Sequence, residues 1–552
     1  MAVRQGGAIL AEQLKIQGVE RVFSVPGESF LAALDGLYDS GIQNVVCRQE
    51  GGAAMMAEAH GKLTGTPGVA FVTRGPGATN ASSGLHVAMQ DSTPMILFVG
   101  QIARDHRDRE AFQEVDYRQM FGGLVKWVTE IDQTERLPEY ISRAFQVAMS
   151  GRPGPVVLAL PEDMLSAMAD VADRPVVQVA TAMPAPAQVT TIIDRLGRAK
   201  RPLVIAGGPS WSQEAATDLE RFADRMDVPV AVPFRRQDHL NNDSPNYVGD
   251  LGVGMNPALA KRLQEADLLL VIGARVGDIL TNGYALLDPS DLGKTLIHAH
   301  PSPDEPGHVY APDLAIACDS AALISALADA NGKAGDWADW RAAARADYET
   351  WQQPKETPGP VKMEQIIPWL SEHLPKDAIL TNGAGNYAAF VHRYHRFRRY
   401  KTQVAPTSGS MGYGFPASIA AKLQHPDRTV ICFAGDGCFQ MTCNEMSTAI
   451  QHGAAVIVIV VNNGKYGTIR MHQEKTYPGR VSGTMIANPD FAALARAYGG
   501  EGQTVTRTED FAAAFAQAQT AGVLSLIEVQ LDDEVLSTGM TLSQTREMGE
   551  RS

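Results

Sequence analysis

The chain is predicted to fold as three doubly wound α/β domains, and three observations support this fold class. Its 552 residues exceed what one hydrophobic core usually serves. Short apolar runs rich in β-branched residues alternate with helix-like segments, as in parallel sheets covered by helices. Two proline-rich stretches without periodicity, near 173–188 and at 351–362, divide the chain. The expected domains therefore span residues 1–172, 188–335 and 360–552.

Composition is that of an ordinary globular protein, with 45% apolar and 20% charged residues. The 62 acidic side chains against 48 basic ones disfavour nucleic acid and anionic membranes as partners. No apolar run approaches the roughly 20 residues that span a bilayer. The five cysteines show no CxxC spacing, which argues against a zinc site or a disulfide framework. We therefore expect a cytoplasmic protein.

The most informative stretch runs from Gly435-Asp436-Gly437 to Asn462-Asn463, in the third domain. Each of these turns follows an apolar run, at 430–434 and 455–461, and a helix-like segment lies between them. Because parallel strands end at one edge of a sheet, Asp436 and Asn463 are expected to lie close together. A carboxylate and an amide oxygen suit Mg²⁺, which takes phosphate oxygens in its remaining positions. The alternative is an α/β turn with an Asp cap and Asn turn residues.

This GDG-x24-NN pattern resembles the signature of thiamine diphosphate (ThDP) enzymes. The resemblance implies Mg²⁺ ligands at Asp436, Asn463 and the backbone carbonyl of Lys465. It also implies a set of cofactor contacts on the turns and Gly-rich loops of this domain, namely Gly385, Asn386, Gly409, Met411, Gly435, Gly437, Cys438 and Gly467. Cys438 is interpreted as a small residue beside the turn and not as a reactive thiol.

The segment TSGSMGYGFPASIAAK, at 407–422, is similar to the GTMGFGLPAAIGA segment of acetolactate synthases. In that family a Met wedges under the cofactor and bends it, and the resemblance gives this role to Met411. It also makes the carbonyl of Gly409 the acceptor for the cofactor's amino group. The alternative is that Met411 only fills space in a Gly-rich loop.

Glu50 is the main candidate in the first domain, because it lies at a predicted strand-to-helix junction before an Ala- and Met-rich helix. Apolar neighbours raise the proton affinity of a carboxylate, which suits proton exchange with a ligand nitrogen. The alternative is a helix-initiating Glu that meets the helix dipole. The stretch 48–101 is similar to the pyrimidine-binding domain of acetolactate synthases, where a Glu at this place hydrogen-bonds the cofactor's aminopyrimidine. The resemblance therefore favours a catalytic role for Glu50.

The AFQE segment at 111–114 resembles one that places a Phe and a Gln in the neighbouring subunit's site of acetolactate synthases. By this resemblance Phe112 and Gln113 belong to the substrate pocket, and Gln113 takes part in catalysis. The alternative is a loop-to-helix junction with a buried Phe.

Two departures from the acetolactate synthase pattern bear on the substrate. PGES at 26–29 replaces PGGA and brings Glu28 and Ser29 near the substrate. Glu28 is expected to donate a proton, as an acid near this point does in pyruvate decarboxylase-like relatives; alternatively it points to solvent as a helix N-terminal acid. After the asparagines, Thr468 and His472 replace a Met and a Trp, which changes the size and polarity of the pocket.

The central domain carries Gly207-Gly208 and Gly273-x-Arg275 where acetolactate synthases bind a non-redox FAD. A glycine pair after a strand is a weak signal. The family's fuller Arg/Asp pattern is also not reproduced after Arg275. A scaffold domain that has lost its nucleotide is therefore favoured over FAD binding.

The resemblance as a whole implies pyrimidine-binding, central Rossmann-like and diphosphate-binding domains. It implies ThDP- and Mg²⁺-dependent decarboxylation of a 2-oxo acid with carboligation to an acceptor carbonyl. A simple 2-oxo acid decarboxylase or C–C lyase of the same cofactor class stays open, as does a non-catalytic binding subunit. The implied assembly is a homodimer or homotetramer with active sites between chains.

Overall fold

Three parallel sheets of six strands follow one another along the chain, in a computed structural model that describes residues 3–551. Every pair of neighbouring strands in these sheets is parallel, and helices connect most of the strands. The predicted class of three α/β domains is confirmed. Within residues 3–551, no helix is long and apolar enough to cross a bilayer.

The first domain pairs its six-stranded sheet with a two-stranded antiparallel ribbon. Its strands are β1 (Arg4–Gln5), β2 (Arg21–Ser24), β3 (Gln43–Val46), β4 (Gly68–Val72), β5 (Met95–Gln101), β6 (Trp127–Glu130), β7 (Pro155–Pro161) and β8 (Met168–Ala169). Its helices are α1 (Gly6–Ile16), α2 (Leu31–Tyr38), α3 (Glu50–Thr64), α4 (Pro76–Asp91), α5 (Tyr117–Phe121), α6 (Leu137–Met149) and α7 (Glu162–Ser166). The sheet order is β3-β2-β4-β5-β7-β6, and β1 pairs with β8.

The central domain has the sheet order β11-β10-β9-β12-β13-β14. These strands are β9 (Pro202–Ala206), β10 (Val230–Pro233), β11 (Tyr247–Leu251), β12 (Leu268–Ile272), β13 (Thr295–His300) and β14 (Leu314–Ala317). Its helices are α8 (Pro186–Arg198), α9 (Gln213–Met226), α10 (Pro257–Glu265), α11 (Ser320–Asp329) and α12 (Ala338–Trp351). The chain order therefore reverses between β9 and β12, which is where such sheets open a crevice for ligands.

The third domain has the sheet order β16-β15-β17-β18-β20-β19. These strands are β15 (Ile379–Asn382), β16 (Gln403–Val404), β17 (Val430–Gly435), β18 (Ile457–Asn462), β19 (Glu501–Val505) and β20 (Ser525–Gln530). Its helices are α13 (Met363–His373), α14 (Tyr387–Tyr394), α15 (Gly414–Gln424), α16 (Asp436–Gln440), α17 (Met446–Gln451), α18 (Gly467–Thr476), α19 (Phe491–Ala497), α20 (Phe511–Thr520) and α21 (Leu542–Arg551).

Helix α3 of the first domain packs against α15 of the third, and their side chains share one hydrophobic core. The small residues of α3, including Ala53, Ala54 and Ala57, are fully buried there. Small side chains let two helices approach closely. The two domains of one chain are therefore joined by a buried interface.

A charged network lies inside this interface and is centred on Lys62 of α3. Lys62 Nζ is 3.3 Å from Glu58 and also contacts Asp91, both of whose side chains are fully buried. Tyr413 of the third domain donates to Glu58, and the backbone N–H of Thr407 donates to Asp91 over 2.7 Å. Burial raises the pKa of Glu58, which Lys62 partly offsets. The network connects helices α3 and α4 of the first domain to the 405–413 segment of the third.

All three domains meet at this segment. Asp91 closes α4 and binds Thr407, whereas the guanidinium of Arg235, from the turn after β10, donates to the carbonyl of Pro406. Arg235 is 3% exposed and adopts a left-handed φ of +60°, a conformation that non-glycine residues rarely take. The 405–413 segment, which carries Gly409 and Met411, is thus fixed from two other domains.

Candidate active site

The carboxyl edge of the third sheet opens into a cavity of about 280 Å³. It forms because β17 and β18 are neighbouring parallel strands, with Gly435 opposite Val461, so the turns that follow them share one edge. The cavity is lined by all the third-domain residues predicted to bind cofactor or metal, namely Gly385, Asn386, Gly409, Met411, Gly435, Asp436, Gly437, Cys438, Asn463, Lys465 and Gly467. The structure therefore brings together residues that lie far apart in the sequence.

Asp436 is a buried carboxylate held by neutral donors. Its Oδ1 accepts from the N–H of Gly437 over 2.8 Å, and its Oδ2 accepts from the amide of Asn488 over 2.7 Å. Burial raises the pKa of Asp436, and these hydrogen bonds counter the rise. No Lys or Arg of the described chain forms an ion pair with it. A divalent cation would supply the missing positive charge.

The other predicted ligands fit this interpretation. The amide nitrogen of Asn463 donates to the carbonyl of Val535 over 3.3 Å, which leaves its side-chain oxygen as the atom for a ligand. The Lys465 ammonium is engaged with the carbonyl of Asp533 at 3.0 Å, so its backbone carbonyl is the group relevant to a metal. No cluster of three or more His, Cys, Asp or Glu side chains suited to a metal occurs in residues 3–551. The arrangement therefore suits Mg²⁺, which needs only one or two carboxylates when phosphate supplies the rest.

Glycine at position 437 keeps the floor of the cavity open. A Cβ there would lie 2.5 Å from the ring of Tyr466, closer than side chains tolerate. Gly409 has a φ of +68°, which favours glycine, and Met411 lies two residues further along the same wall. Cys438 is buried, with its sulfur 3.2 Å from the N–H of Gly412 and 3.4 Å from the hydroxyl of Tyr387.

Thr468 occupies the position of the family's Met and pairs with a predicted cofactor residue. Its hydroxyl donates to Asn386 Oδ1 over 3.0 Å and accepts from the Asn386 backbone N–H at the same distance. His472 lies on the same helix, α18, but is exposed and does not line the cavity. Thr468 therefore lines the cavity, whereas His472 lies outside it.

The sequence interpretation missed several residues of the site. Asn488 bridges Asp436 and Asn462, donating to the latter over 2.8 Å. Tyr387 and Tyr466 line the cavity. Tyr466 lies three residues after Asn463, so the sequence could have placed it at the site. Asn488 lies in a loop far downstream, and no sequence pattern connects it to Asp436.

Glu50 is the first residue of α3 and faces the start of α4, residues 75–80 (GPGATN), which is helical from Pro76 onward. Its Oε2 accepts from the side-chain amide of Asn80 over 2.9 Å, while Gln49 caps the helix by accepting from the N–H of Gly52. A Cβ at Gly77 would come within 3.3 Å of Glu50 Oε1, so this glycine leaves the carboxylate room. Glu50 therefore begins a helix and also contacts the first turn of α4 through Asn80. It does not line the cavity around Asp436 of the same chain.

Glu28 and Ser29 lie in a short 3₁₀ turn after β2 and have opposite environments. The Glu28 side chain is 68% exposed, and its Oε1 is 3.3 Å from the guanidinium of Arg74. Ser29 is fully buried, and its hydroxyl is 2.8 Å from that of Thr73. Glu28 is thus available at the surface, whereas Ser29 fixes the turn from inside.

The AFQE segment is an exposed loop. Phe112 is 72% exposed, so the alternative of a buried Phe at this junction is wrong. Gln113 has a φ of +66°. A Cβ added at Gly75 would lie 2.8 Å from the Cβ of Gln113, so the two residues are in close contact. The loop is therefore packed against Gly75 at the N-terminus of α4, while its aromatic ring faces outward.

A second cavity, of about 540 Å³, lies at the strand edge of the central domain where the order reverses. Gly208, Gly273 and Arg275 line it, together with Arg152 and Arg236. None of these three arginines forms an ion pair with a carboxylate in the described part of the chain. Asp91, Asp278 and Glu305 also line the cavity, so its charges are mixed and it carries no feature that singles out a flavin.

Comparison with known families assigns all three regions to one architecture. The model described as "Thiamine pyrophosphate enzyme, N-terminal TPP binding domain" matches residues 4–120. The corresponding central domain matches residues 189–327, and the C-terminal TPP binding domain matches residues 383–529.

The chain is also similar to acetolactate synthases along nearly its whole length. It is 31% identical to the isozyme 2 large subunit of Escherichia coli K12, over 96% of each chain. It is 30% identical to the large subunit of Lactococcus lactis, over 90% of this chain and 87% of that protein. The mitochondrial catalytic subunit of Saccharomyces cerevisiae is 29% identical, over 96% of this chain and 81% of its own length.

Proposed function

The chain belongs to the thiamine pyrophosphate enzymes, in their acetolactate synthase-like group, and on that premise we propose that it decarboxylates a 2-oxo acid and joins the remaining fragment to an acceptor carbonyl. The observation that carries the proposal is the cavity around Asp436, which collects a carboxylate, an amide oxygen and a glycine-lined floor. That combination suits a Mg²⁺-bound diphosphate.

The third domain would hold the cofactor. Asp436, Asn463 and the carbonyl of Lys465 would bind Mg²⁺, and Gly435 and Gly437 let the backbone approach the diphosphate. When bound, ThDP supplies a nucleophilic carbon and an electron sink for the carbanion left by decarboxylation. On the remaining walls, Gly385, Asn386, Cys438 and Gly467 would contact the diphosphate end. Met411 would press against the middle of the cofactor, and the carbonyl of Gly409 would orient its amino group.

We propose that two chains complete each site. Glu50 does not line the Asp436 cavity of its own chain. A second copy would have to present its Glu50 there to exchange a proton with the pyrimidine. Homodimer is then the smallest active assembly, with a homotetramer as the larger form.

Glu28, Phe112 and Gln113 would form the substrate end, together with Thr468 and His472. Glu28 is a surface carboxyl able to donate a proton to a reacting carbon. Phe112, being exposed in one chain, is available to cover substrate in the other. Donation by Glu28 would release an aldehyde, whereas an acceptor carbonyl would give the carboligated product. Which outcome dominates decides between a decarboxylase or lyase and a carboligase.

A substrate panel on the Mg²⁺- and ThDP-loaded protein tests the proposal. We expect CO₂ release from one or more 2-oxo acids and a coupled product when an acceptor aldehyde or ketone is added. Acetoin-type colour after acidification would identify acetolactate chemistry, and aldehyde alone would identify a decarboxylase. Failure to bind ThDP would contradict the proposal and support a non-catalytic binding subunit.

Asp436→Ala tests the metal site directly. The variant is expected to lose Mg²⁺-dependent ThDP binding, because the only buried carboxylate of the proposed metal set is removed. Asp510→Ala, which breaks an exposed pair with Arg507 in the same domain, is the matched control and should bind normally. Unchanged ThDP affinity in Asp436→Ala, measured by quenching of tryptophan fluorescence, would show that the metal lies elsewhere.

For the central domain we propose a scaffold role without FAD. The protein purified from cells should then lack the visible absorption of an oxidised flavin; a stoichiometric flavin would overturn this. A cytoplasmic location and the domain limits 1–172, 188–335 and 360–552 are further proposals. Limited proteolysis within the segments between these limits would test the last.

A further inference from the structure

Arg74 has a nearly buried guanidinium at the edge of the first domain and lies between β4 and α4. It is 7% exposed and meets three separate segments. Its Nε donates to the carbonyl of Phe112 over 3.2 Å. Its two terminal nitrogens lie 3.1 Å from Glu162 of α7 and 3.3 Å from Glu28. One side chain thus contacts both the proposed proton donor and the loop proposed to cover the substrate.

The charges around Arg74 do not balance, since two carboxylates share one guanidinium. Glu162 is the closer and less exposed partner, at 3.1 Å and 40% side-chain exposure. Glu28 is the longer and more exposed one, at 3.3 Å and 68%. One carboxylate can therefore take a proton without leaving the buried guanidinium unpaired. The longer distance makes Glu28 the more weakly paired of the two carboxylates.

We propose that Arg74 is a positioning residue of the reaction. It holds the carboxyl of Glu28 and the backbone at Phe112 in a fixed relation, and Glu162 keeps its charge compensated whenever Glu28 is protonated. Glu28 then gives its proton to the reacting carbon, becomes a carboxylate that Arg74 stabilises, and is reprotonated by water. The inference rests on the role of Glu28 under the proposed function.

The groups that face this guanidinium come from several elements. They are Glu28 from the turn after β2, Glu162 from α7, and Tyr117 from α5 with Glu130 of β6 near it. The neighbouring Asp163 is paired with Arg104 at 2.8 Å. Tyr117 accepts from the N–H of Gly75, and burial raises its pKa to about 12, so it stays protonated near neutral pH. Glu28 and Glu162 are therefore the groups whose balance the experiment must change.

Two variants that change the charge beside Glu28 in opposite directions should shift the pH dependence of activity in opposite directions. Arg74→Gln removes the cation beside Glu28 and should move the pH limb that Glu28→Gln abolishes to higher pH. Glu162→Gln leaves Glu28 as the sole counter-ion and should move the same limb to lower pH. Arg104→Gln, which removes the pair with Asp163 and a bond to the Asp132 carbonyl but touches neither Arg74 nor Glu28, should leave the limb in place. Shifts of one sign in both variants, or no shift, would overturn the proposal.

Two measurements work without turnover, so the failure of this inference can be separated from failure of the proposed function. Hydrogen–deuterium exchange of the peptide covering 104–116 should rise in Arg74→Gln and not in Glu28→Gln or Glu162→Gln. Exchange of this peptide should rise in Arg74→Lys as well, since an ammonium cannot replace three directed guanidinium bonds. The difference in melting temperature between the protein and Glu28→Gln, followed over pH, reports the ionisation of Glu28.

The outcomes are distinct. Unchanged exchange at 104–116 in Arg74→Gln overturns the positioning role, whether or not the protein is active. An inactive protein with the expected exchange and melting shifts would contradict the proposed function and leave the Arg74 contacts established.

Discussion

Helix α3 carries two carboxylates in very different surroundings. Glu58, in the body of the helix, is fully buried among Lys62, Tyr413 and other partners that belong to two domains. Glu50, about two turns earlier, is half-buried and has a single side-chain hydrogen bond, to Asn80. The first environment is complete within one chain, whereas the second is the one that we propose a second chain completes.

The same contrast holds for the surfaces around each carboxylate. Near Glu58 the first and third domains exclude solvent and share a core. By contrast, large apolar side chains are more than half exposed at the AFQE loop and at α18, the two surfaces that we call the open edge. They are Phe112 in the loop, Ile469 on α18 and Tyr477 directly after it. The difference teaches that the buried contact provides stability, while the open edge is where a cofactor and a second chain are expected.

The sharpest way to break the comparison is Glu50→Gln. The variant is expected to bind ThDP and melt normally, but to lose about 10²–10⁴-fold in the C2–H/D exchange rate of the bound cofactor, because the proton partner is gone. Exchange is measured by NMR of the acid-quenched cofactor. Exchange at the rate of the unmodified protein would remove Glu50 from its role.

Lys62→Met addresses the buried side of the helix. It leaves Glu58 and Asp91 buried without their shared cation, which costs about 3–5 kcal/mol in the free energy of unfolding. Chemical denaturation measures the loss. Lys261→Met removes an exposed pair with Glu265 and serves as the control, with no measurable change expected. A loss no larger than the control's would show that the network does not stabilise the contact.

Acid should destabilise the buried contacts of the third domain before it affects the open edge. Burial lowers the pKa of His392 and of His395 to about 3, below the usual 6.5. The unfolded chain therefore binds protons first, so stability is full above pH 6.5 and falls as pH drops towards 3. The expected slope is about 1.4 kcal/mol per pH unit for each histidine.

Denaturation midpoints between about pH 7 and pH 5 check this slope, with His395→Asn expected to flatten it. Midpoints that stay constant over this range would contradict the burial of both imidazoles in the folded state.

The smallest effect is expected at α21, which packs on the helix carrying Thr468. Arg546 of α21 pairs with the buried Glu474 of α18 over 2.8 Å, but Arg470 also pairs with Glu474 at 2.7 Å. Arg546→Gln should therefore cost only about 1 kcal/mol of stability, since Glu474 keeps one cation. Thermal melting checks this value, and a loss as large as that of Lys62→Met would show that α21 supports the whole domain.

The fold and the shared sheet edge of Asp436 and Asn463 were predictable because each depends on local pattern. Alternating apolar runs and helices imply parallel sheets, and turns after neighbouring parallel strands must share an edge. Asp436 and Asn463 could thus be paired without knowing any side-chain contact. The start of α3 at Glu50 followed in the same way, from a strand ending before an Ala-rich helix.

Side-chain partners between distant segments were not predictable. The bond between Thr468 and Asn386 joins positions whose separation carries no periodicity. Exposure of Phe112 depends on which surfaces remain open after the domains assemble, and an isolated aromatic residue in a sequence does not report that. Arg74 carried no signal in the sequence, since its partners are carboxylates contributed by two other segments.

The junction at Thr407 and Pro406 has a consequence for recombination. Asp91 and Arg235 reach this junction from two different domains. A chimera that exchanges one domain with a distant relative would inherit only part of the set and would misplace the segment bearing Met411. Domain grafts in this protein should therefore transfer these contacts together or keep all of them from one parent.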